Sequence, residues 1–334
     1  MGLGIGFGTD WGSIKLGPNS GGAVNPDLFI IQVQTDNTGT SADDQFTLPW
    51  IGTYDVDWGD GNIDTGVTNT QTHTYSSAGT YDVSVTATSG RIFFANGGDK
   101  NKLLDVKQWG SCVWASMTRA FYGCGVMQIS ATDAPNLSNC TSFSWAFRSC
   151  TSLNPNIDHW DVSTITNFEK TFVLARNFNS PLNSWNVSSA TNMSNMFYIA
   201  NSFNQPLDNW NVSSVSRMDS MFNSAGVFNQ SLNSWNVSGV TRMDSMFRNA
   251  SAFNQPLNSW DINQVSNFSN FLTSSSLSTA NYDALLIAWD SQGAMSYSGT
   301  VNFGNSQYTL GGAAAVARTS LIIKWGGIID GGGV

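Results

Sequence analysis

One period dominates the apolar positions of this chain. Trp160, Trp185, Trp210, Trp235 and Trp260 recur every 25 residues, followed two positions later by Val162, Val187, Val212, Val237 and Ile262. Apolar residues two apart share one side of an extended chain, so each Trp-x-Val predicts a short half-buried strand. Later in the repeat, Thr191, Met193, Met196, Phe197 and Ala200 are spaced mostly by two to four. That spacing predicts a short helical turn with Thr191 near its N-cap. A unit of one strand and one turn is too small to bury its own apolar side. A fixed period of this size therefore marks a stack, with Trp over Trp, Phe over Phe and Met over Met.

The pattern differs on either side of the repeats. Residues 28–98 read as β structure, with runs at Leu28–Thr35, Asp44–Trp50, Thr53–Asn62 and Gln71–Thr88. In the third run Tyr54, Val56 and Trp58 alternate before a turn at Gly59-Asp60-Gly61; in the fourth Tyr81, Val83, Val85 and Ala87 alternate after Ala78-Gly79. Short strands parted by Gly/Asp turns predict a sandwich. Residues 278–334 break the repeat. Ser278–Gln292 has helical spacing at Tyr282, Leu285, Leu286 and Trp289 behind a capping Ser or Thr, and Gly311–Gly327 predicts a second helix stopped by Gly326. These two helices are expected to cap the last rung's apolar edge. Residues 1–27 are Gly-rich, carry Ile5, Phe7 and Trp11, and are expected to form an arm that orders against a partner.

Two wordings carry family resemblances. "DVDWGDGN" followed by "THTYSSAGTYDVSVTAT" resembles the PKD family of immunoglobulin-like domains, over about 50 residues. The resemblance implies a seven-stranded sandwich serving as a spacer or adhesive module without a catalytic role. "AFYGC" (Ala120–Cys124) and "AFRSC" (Ala146–Cys150), each followed by an apolar Met127 or Leu153, resemble the BspA-type leucine-rich repeat. The words Pro-Leu-x-x-Trp-Asn-Val-Ser and Met-x-x-Met-Phe from Ile157 onward resemble the BspA-like repeats of bacterial surface and viral proteins. Together they imply a mixed β and α/β solenoid protein: a Gly-rich arm (1–27), a PKD-like β-sandwich (28–98), a leucine-rich-repeat-like solenoid (99–277) and a helical C-terminal cap (278–334).

Composition narrows the partners. The chain is 41% hydrophobic but only 11% charged, so Asn, Ser, Thr, Gln and Gly must cover much of its surface. A net charge of −9 argues against nucleic acid and anionic membranes as partners. No apolar run is long enough for a membrane helix, so membrane insertion is not expected. The first residues lack the basic and apolar regions of a secretory leader, and release by another route is expected.

Candidate chemistry is sparse. Cys112, Cys124, Cys140 and Cys150 match no zinc spacing, and buried thiols and a Cys124–Cys150 disulfide both fit. Asp57 and Asp60 are expected to shape turns beside Gly rather than to bind calcium, and His73 to be packed or hydrogen-bonded. Asn179, Asn204, Asn229 and Asn254 recur in register and are expected to form an internal ladder that satisfies loop backbone groups, with glycan contact as the other reading. Asn186, Asn211 and Asn236 begin Asn-x-Ser words that come with the repeat. Asp219 and Asp244, each two residues after an Arg, read as a surface charge ladder rather than as paired glycosidase carboxylates. No nucleophile, phosphate-binding or metalloprotease motif occurs, so neither catalysis, a cofactor nor a metal is expected. A binding site is expected where repeats differ within a constant frame: Tyr198, Ile199, Asn223, Ser224, Arg248 and Asn249. The expected function is a non-enzymatic virion component, such as a bacteriophage tail fibre, tail tip or capsid decoration, that displays the solenoid to a host-surface protein or glycan. The arm or PKD-like domain would bind other virion proteins, and the chain would be a homo-oligomer within the particle. A bacterial cell-surface adhesin for host or matrix proteins is the alternative.

Overall fold

In the computed structural model, which describes residues 25–293 and 296–334, the chain is mostly β, with several sheets and two helices among the described residues. The expected arm lies almost wholly outside the described residues. The N-terminal part runs through β1 (Phe29–Gln34), β2 (Gln45–Leu48), β3 (Trp50–Ile51), β4 (Thr53–Asp57), β5 (Ile63–Thr68), β6 (Gln71–Thr74), β7 (Thr80–Thr86) and β8 (Ser89–Ile92). Then follow β9 (Leu103–Gln108), β10 (Val113–Trp114) and β11 (Gln128–Ile129). β1 is central because Phe29, Ile30, Ile31 and Val33 are all buried, which a strand covered on both faces requires. It pairs antiparallel with β7 on one side, Ile31 opposite Val83, and with β9 on the other. The resulting sheet has the order β11-β9-β1-β7-β4-β5. β2 pairs with β6, and β8 lies between β3 and β10. Pro49, which lacks an N–H, separates β2 from β3. The boundary expected at residues 98/99 is crossed: β9 and β11 complete the main sheet, and β10 pairs with β8. Phe29, Trp50, Trp109 and Trp114 meet in one aromatic cluster that spans the junction.

A buried polar pair locks this junction. Asp99 is 1% exposed and accepts hydrogen bonds from the Thr40, Ser41 and Thr47 amides at 2.8, 3.0 and 2.7 Å, and from the Ser41 hydroxyl at 2.6 Å. Lys102 is fully buried. Its Nζ donates to the Ser41, Ala42 and Gln45 carbonyls and to Ser41 Oγ. The loop between β1 and β2 is thereby tied to the chain segment that enters the repeats.

The repeats stack through a hydrogen-bond scheme that differs from the expected strand and helix. Met193, Asn195, Phe197 and Ile199 donate their N–H groups to the carbonyls of Arg217, Asp219, Met221 and Asn223 in the following rung, at 2.9–3.0 Å. The intervening Met196, Tyr198 and Ala200 amides bond three residues back within their own rung. Asn195 and Ile199 have φ of 56° and 59°. A positive φ at the third position of a three-back turn is the type II geometry, so this segment is a chain of tight turns, not a helix. An α-helix would spend every amide on i−4; here half of them are freed to bind the neighbour. Thr191 does not cap a helix. Its amide and hydroxyl donate backward to the Thr166 carbonyl at 2.8 and 3.1 Å. Parallel bridges connect Ser142, Asn167, Asn192, Arg217, Arg242 and Asn267, so the backbone ladder lies at the start of the turn segment. Trp185 and Val187 are both buried with Asn186 exposed between them, the face expected of a strand, but that segment is not part of a named strand.

The core follows the period. Phe121, Phe147, Phe172, Phe197, Phe222 and Phe247 form a column of near-parallel rings with centroids 5.6–5.7 Å apart. Phe172, Phe197, Phe222 and Phe247 also stack on Phe178, Phe203, Phe228 and Phe253 at 3.9–4.1 Å. The Trp185, Trp210, Trp235 and Trp260 indoles donate to the Ile157, Leu182, Leu207 and Leu232 carbonyls of the preceding rung at 2.8–2.9 Å. These four indole N–H groups are thereby satisfied, whereas those of Trp50, Trp109, Trp114 and Trp325 are buried without a partner.

The C-terminal segment contains α1 (Thr279–Asp290), β12 (Gly299–Asn302), α2 (Ala313–Trp325) and β13 (Gly326–Ile329). The Ser278 hydroxyl caps α1 by accepting from the Asn281 amide, and Gly326 ends α2 with φ 104°. β12 and β13 pair in parallel across α2. Trp289 of α1 continues the indole ladder, donating to the Leu257 carbonyl at 3.1 Å. The expected cap closes only its inner side: Leu285, Leu286, Leu321 and Trp325 are buried, but Val316 and Ile323 of α2 are 71% and 81% exposed.

Hydrogen bonding to Asp99 gives a pH prediction. Burial alone would raise its carboxyl, but the Ser41, Thr47 and Thr40 donors outweigh burial and hold it below its ordinary value of 3.8. A depressed folded value means the unfolded chain binds more protons in acid. The stabilisation is therefore full above about pH 4 and is lost as pH falls through the folded value. Chemical denaturation between pH 7 and pH 2.5 should show this loss, and Asp99→Asn should be destabilised at pH 7 with a flatter acid profile.

Candidate functional site

Two columns on the turn side of the stack contain the residues singled out for binding. One aligns Tyr122, Arg148, Val173, Tyr198, Asn223 and Arg248; the other aligns Gly123, Ser149, Leu174, Ile199, Ser224 and Asn249, one per rung. The backbone ladder fixes both: the amides of Leu174, Ile199 and Ser224 donate to the carbonyls of Tyr198, Asn223 and Arg248. Tyr198, Ile199, Asn223, Ser224, Arg248 and Asn249 are thus brought together across three consecutive rungs. Their exposure is unequal. Arg248 and Asn249 are exposed, Tyr198, Ile199 and Ser224 are half-buried, and Asn223 is buried at 8%. Asn223 therefore departs from the exposure expected of it, its Oδ1 accepting from Ser224 Oγ at 2.9 Å.

The same columns reach a cluster that sequence comparison between repeats did not single out. Trp145 lies 4.3 Å from the Arg148 guanidinium carbon, 5.2 Å from that of Arg119 and 4.8 Å from Lys170 Nζ. Tyr122 meets Trp145 edge-on at 5.5 Å and Arg148 at 5.1 Å. Arg119, Trp145 and Lys170 are successive members of one column, and Tyr122 and Arg148 of the next. The available signal was the alignment of "AFYGC" with "AFRSC", which puts Tyr122 and Arg148 in the column of Tyr198.

Other candidate groups serve the fold. The Oδ1 atoms of Asn154, Asn179, Asn204 and Asn229 accept from the amides of Asn179, Asn204, Asn229 and Asn254 at 2.8–2.9 Å. Asn254 Oδ1 accepts the Ser278 amide, which carries this internal ladder into the C-terminal segment. Asn186, Asn211 and Asn236 accept from the serine two residues on, shaping turns. Arg217 and Arg242 pair with Asp219 and Asp244 at 3.0 and 3.1 Å. Asp219 is 7% exposed and also lies 4.0 Å from Arg242 of the next rung, so these charges form a ladder between rungs whose arginine side chains are 42% exposed and whose Asp219 is buried. Asp57 Oδ1 accepts the Gly59 amide; Asp60 accepts from the Asn62 amide and bonds His73 Nε2 at 2.9 Å. His73 stacks on Trp58 at 4.8 Å. All four cysteines are free and buried, and burial pushes their thiols up. Cys150 Sγ donates to the Phe121 carbonyl.

The comparisons concern the stacked region. A family model described as "Mycoplasma protein of unknown function, DUF285" matches residues 115–227 and 191–285, together just over half of the chain. The chain belongs to this family, which is associated with BspA-like surface repeat proteins. No curated protein and no solved structure matches the chain.

Two substitutions separate the ladder from the face. Asn204→Ala removes the acceptor of the Asn229 amide and of Gln230 Nε2, and should cost about 1–2 kcal/mol in chemical denaturation. Ile199 is a β-branched residue held at φ 59°, a conformation that costs about 1–2 kcal/mol for an L-residue. Ile199→Asn, a residue that tolerates this region, should raise the melting temperature.

Proposed function

We propose that this chain is a non-enzymatic structural and adhesion protein that displays a rigid repeat array at the surface of a virion, as a tail-fibre, tail-tip or capsid-surface component. On this reading the stack is a leucine-rich-repeat-like solenoid, and the N-terminal strands are a PKD-like, immunoglobulin-type module that stiffens its base. The observation that carries the reading is the division of labour within each rung. The residues repeated in register are consumed by the stack: Trp indoles, Phe rings, Asn side chains and alternate amides all bind neighbouring rungs. Residues that vary at one column, Tyr122, Arg148, Tyr198 and Arg248, are half-buried or exposed, while Val173 and Asn223 of that column are buried. A fixed frame with variable outer residues suits recognition of a host-surface protein or glycan. The N-terminal segment or the PKD-like module would attach to other virion proteins, with several copies per particle.

The family's association with BspA-like surface repeat proteins favours a second reading, a bacterial cell-surface adhesin for host or matrix proteins. Mass spectrometry of purified virions, beside envelope fractions of the same culture, distinguishes the two. Recovery at a constant ratio to capsid protein is the expected result. Recovery only in the envelope fraction supports the adhesin, and recovery only as free intracellular protein overturns both.

A further inference from the structure

We propose that Arg119, Arg148 and Lys170, gathered around Trp145 and Tyr122, form a binding site for an acidic saccharide. The inference rests on the surface-binding role proposed above and names the ligand class at that outer side.

The chain carries a net charge of −9, and Lys107, Arg217, Arg242, Arg318 and Lys324 are paired with Asp82, Asp219, Asp244, Asp330 and Asp290. Lys170 pairs with Glu169 at 2.8 Å. Arg119 and Arg148 have no carboxylate partner among the described residues. Arg91, Lys100, Lys102, Arg176 and Arg248 have no carboxylate within 4.0 Å among the described residues either, but only Arg119, Arg148 and Lys170 gather over one ring. Arg148 Nε is buried without a hydrogen-bond acceptor. Two unneutralised guanidinium groups over one indole suit an anion, and their planar forks match a carboxylate or a sulfate.

The cluster is preorganised. Trp145 has φ 62°, and its ring is approached by Arg119 from the preceding rung and Lys170 from the following one. Cation–π contact holds these chains in place before a ligand arrives, which lowers the ordering cost of binding.

The backbone around the cluster favours a saccharide over an acidic peptide. An extended peptide is held by adding a strand to a free backbone edge. Here the amides of Met117, Arg119, Phe121 and Gly123 are already donated to Ser142, Ser144, Ala146 and Arg148. Next in sequence to the two arginines are hydroxyls: Thr118, whose Oγ1 donates to Ser142 Oγ at 3.0 Å, and half-buried Ser149. Hydroxyls beside paired guanidiniums match a polyhydroxylated anion.

The test is calorimetric titration of the full chain with polygalacturonate, a carboxylate polymer, and heparin, a sulfated one. Neutral dextran and polyglutamate serve as comparators. At least one acidic polysaccharide should bind, with affinity falling as salt rises. Arg119→Gln/Arg148→Gln should weaken it by about tenfold or more, and the charge-matched Lys107→Gln/Lys324→Gln should not. If the double variant melts early, Arg119→Gln alone, at an exposed position, carries the same expectation. No binding of either polysaccharide overturns the inference, as does equal binding of polyglutamate or equal loss in the charge-matched variant. Adhesion to host surfaces that survives Arg119→Gln/Arg148→Gln leaves the proposed function standing and removes this site from it; absence of host-surface adhesion with polysaccharide binding intact removes the adhesive role instead.

Discussion

The structure depends on what happens to alternate backbone amides along the turn segment of each rung. Every second N–H closes a local turn, and the others cross to the next rung. Neither half could stand alone. The turns place residues such as Asn195 and Ile199 in the left-handed region, at a cost that an isolated segment would escape by changing conformation. The neighbouring rung holds them there by accepting the freed amides. The same crossing fixes the Phe column near 5.7 Å and brings each indole under the carbonyl it needs. Backbone pairing and ring stacking therefore impose one common rise, and a rung that satisfies one satisfies the other.

This interlock explains what was legible in the sequence. The period, the buried Trp-x-Val side and the internal Asn ladder all follow from residue identity, because side chains that meet their own copies must recur. At Thr191–Ala200 the pattern predicts a helical turn and the chain forms tight turns, because spacing by two to four is shared by both. Only the destination of the amides separates them, and that is set by the neighbouring rung. Strand pairing also continues past residue 98, where the residue pattern marks no strand. β9 is a strand of the main sheet, yet in sequence it follows Asp99 and leads into the repeats.

The outer side was legible only in part. Comparing repeats located the column through Tyr198, Asn223 and Arg248, since a variable position stands out against a constant frame. It could not show that Asn223 turns inward onto Ser224. It also passed over Trp145, whose importance lies in three cations that come from different rungs. Contacts between rungs at unlike residues leave no repeated word to find.

Trp289 has a further implication. It lies 29 positions after Trp260 instead of 25, on a helix rather than an extended segment, yet its indole reaches the Leu257 carbonyl as its predecessors reach theirs. The ladder asks of each newcomer only a donor and a ring at the right height. For the indole ladder, a rung is therefore defined by the donor it offers and the carbonyl it presents, and a helix can stand where an extended segment stood before.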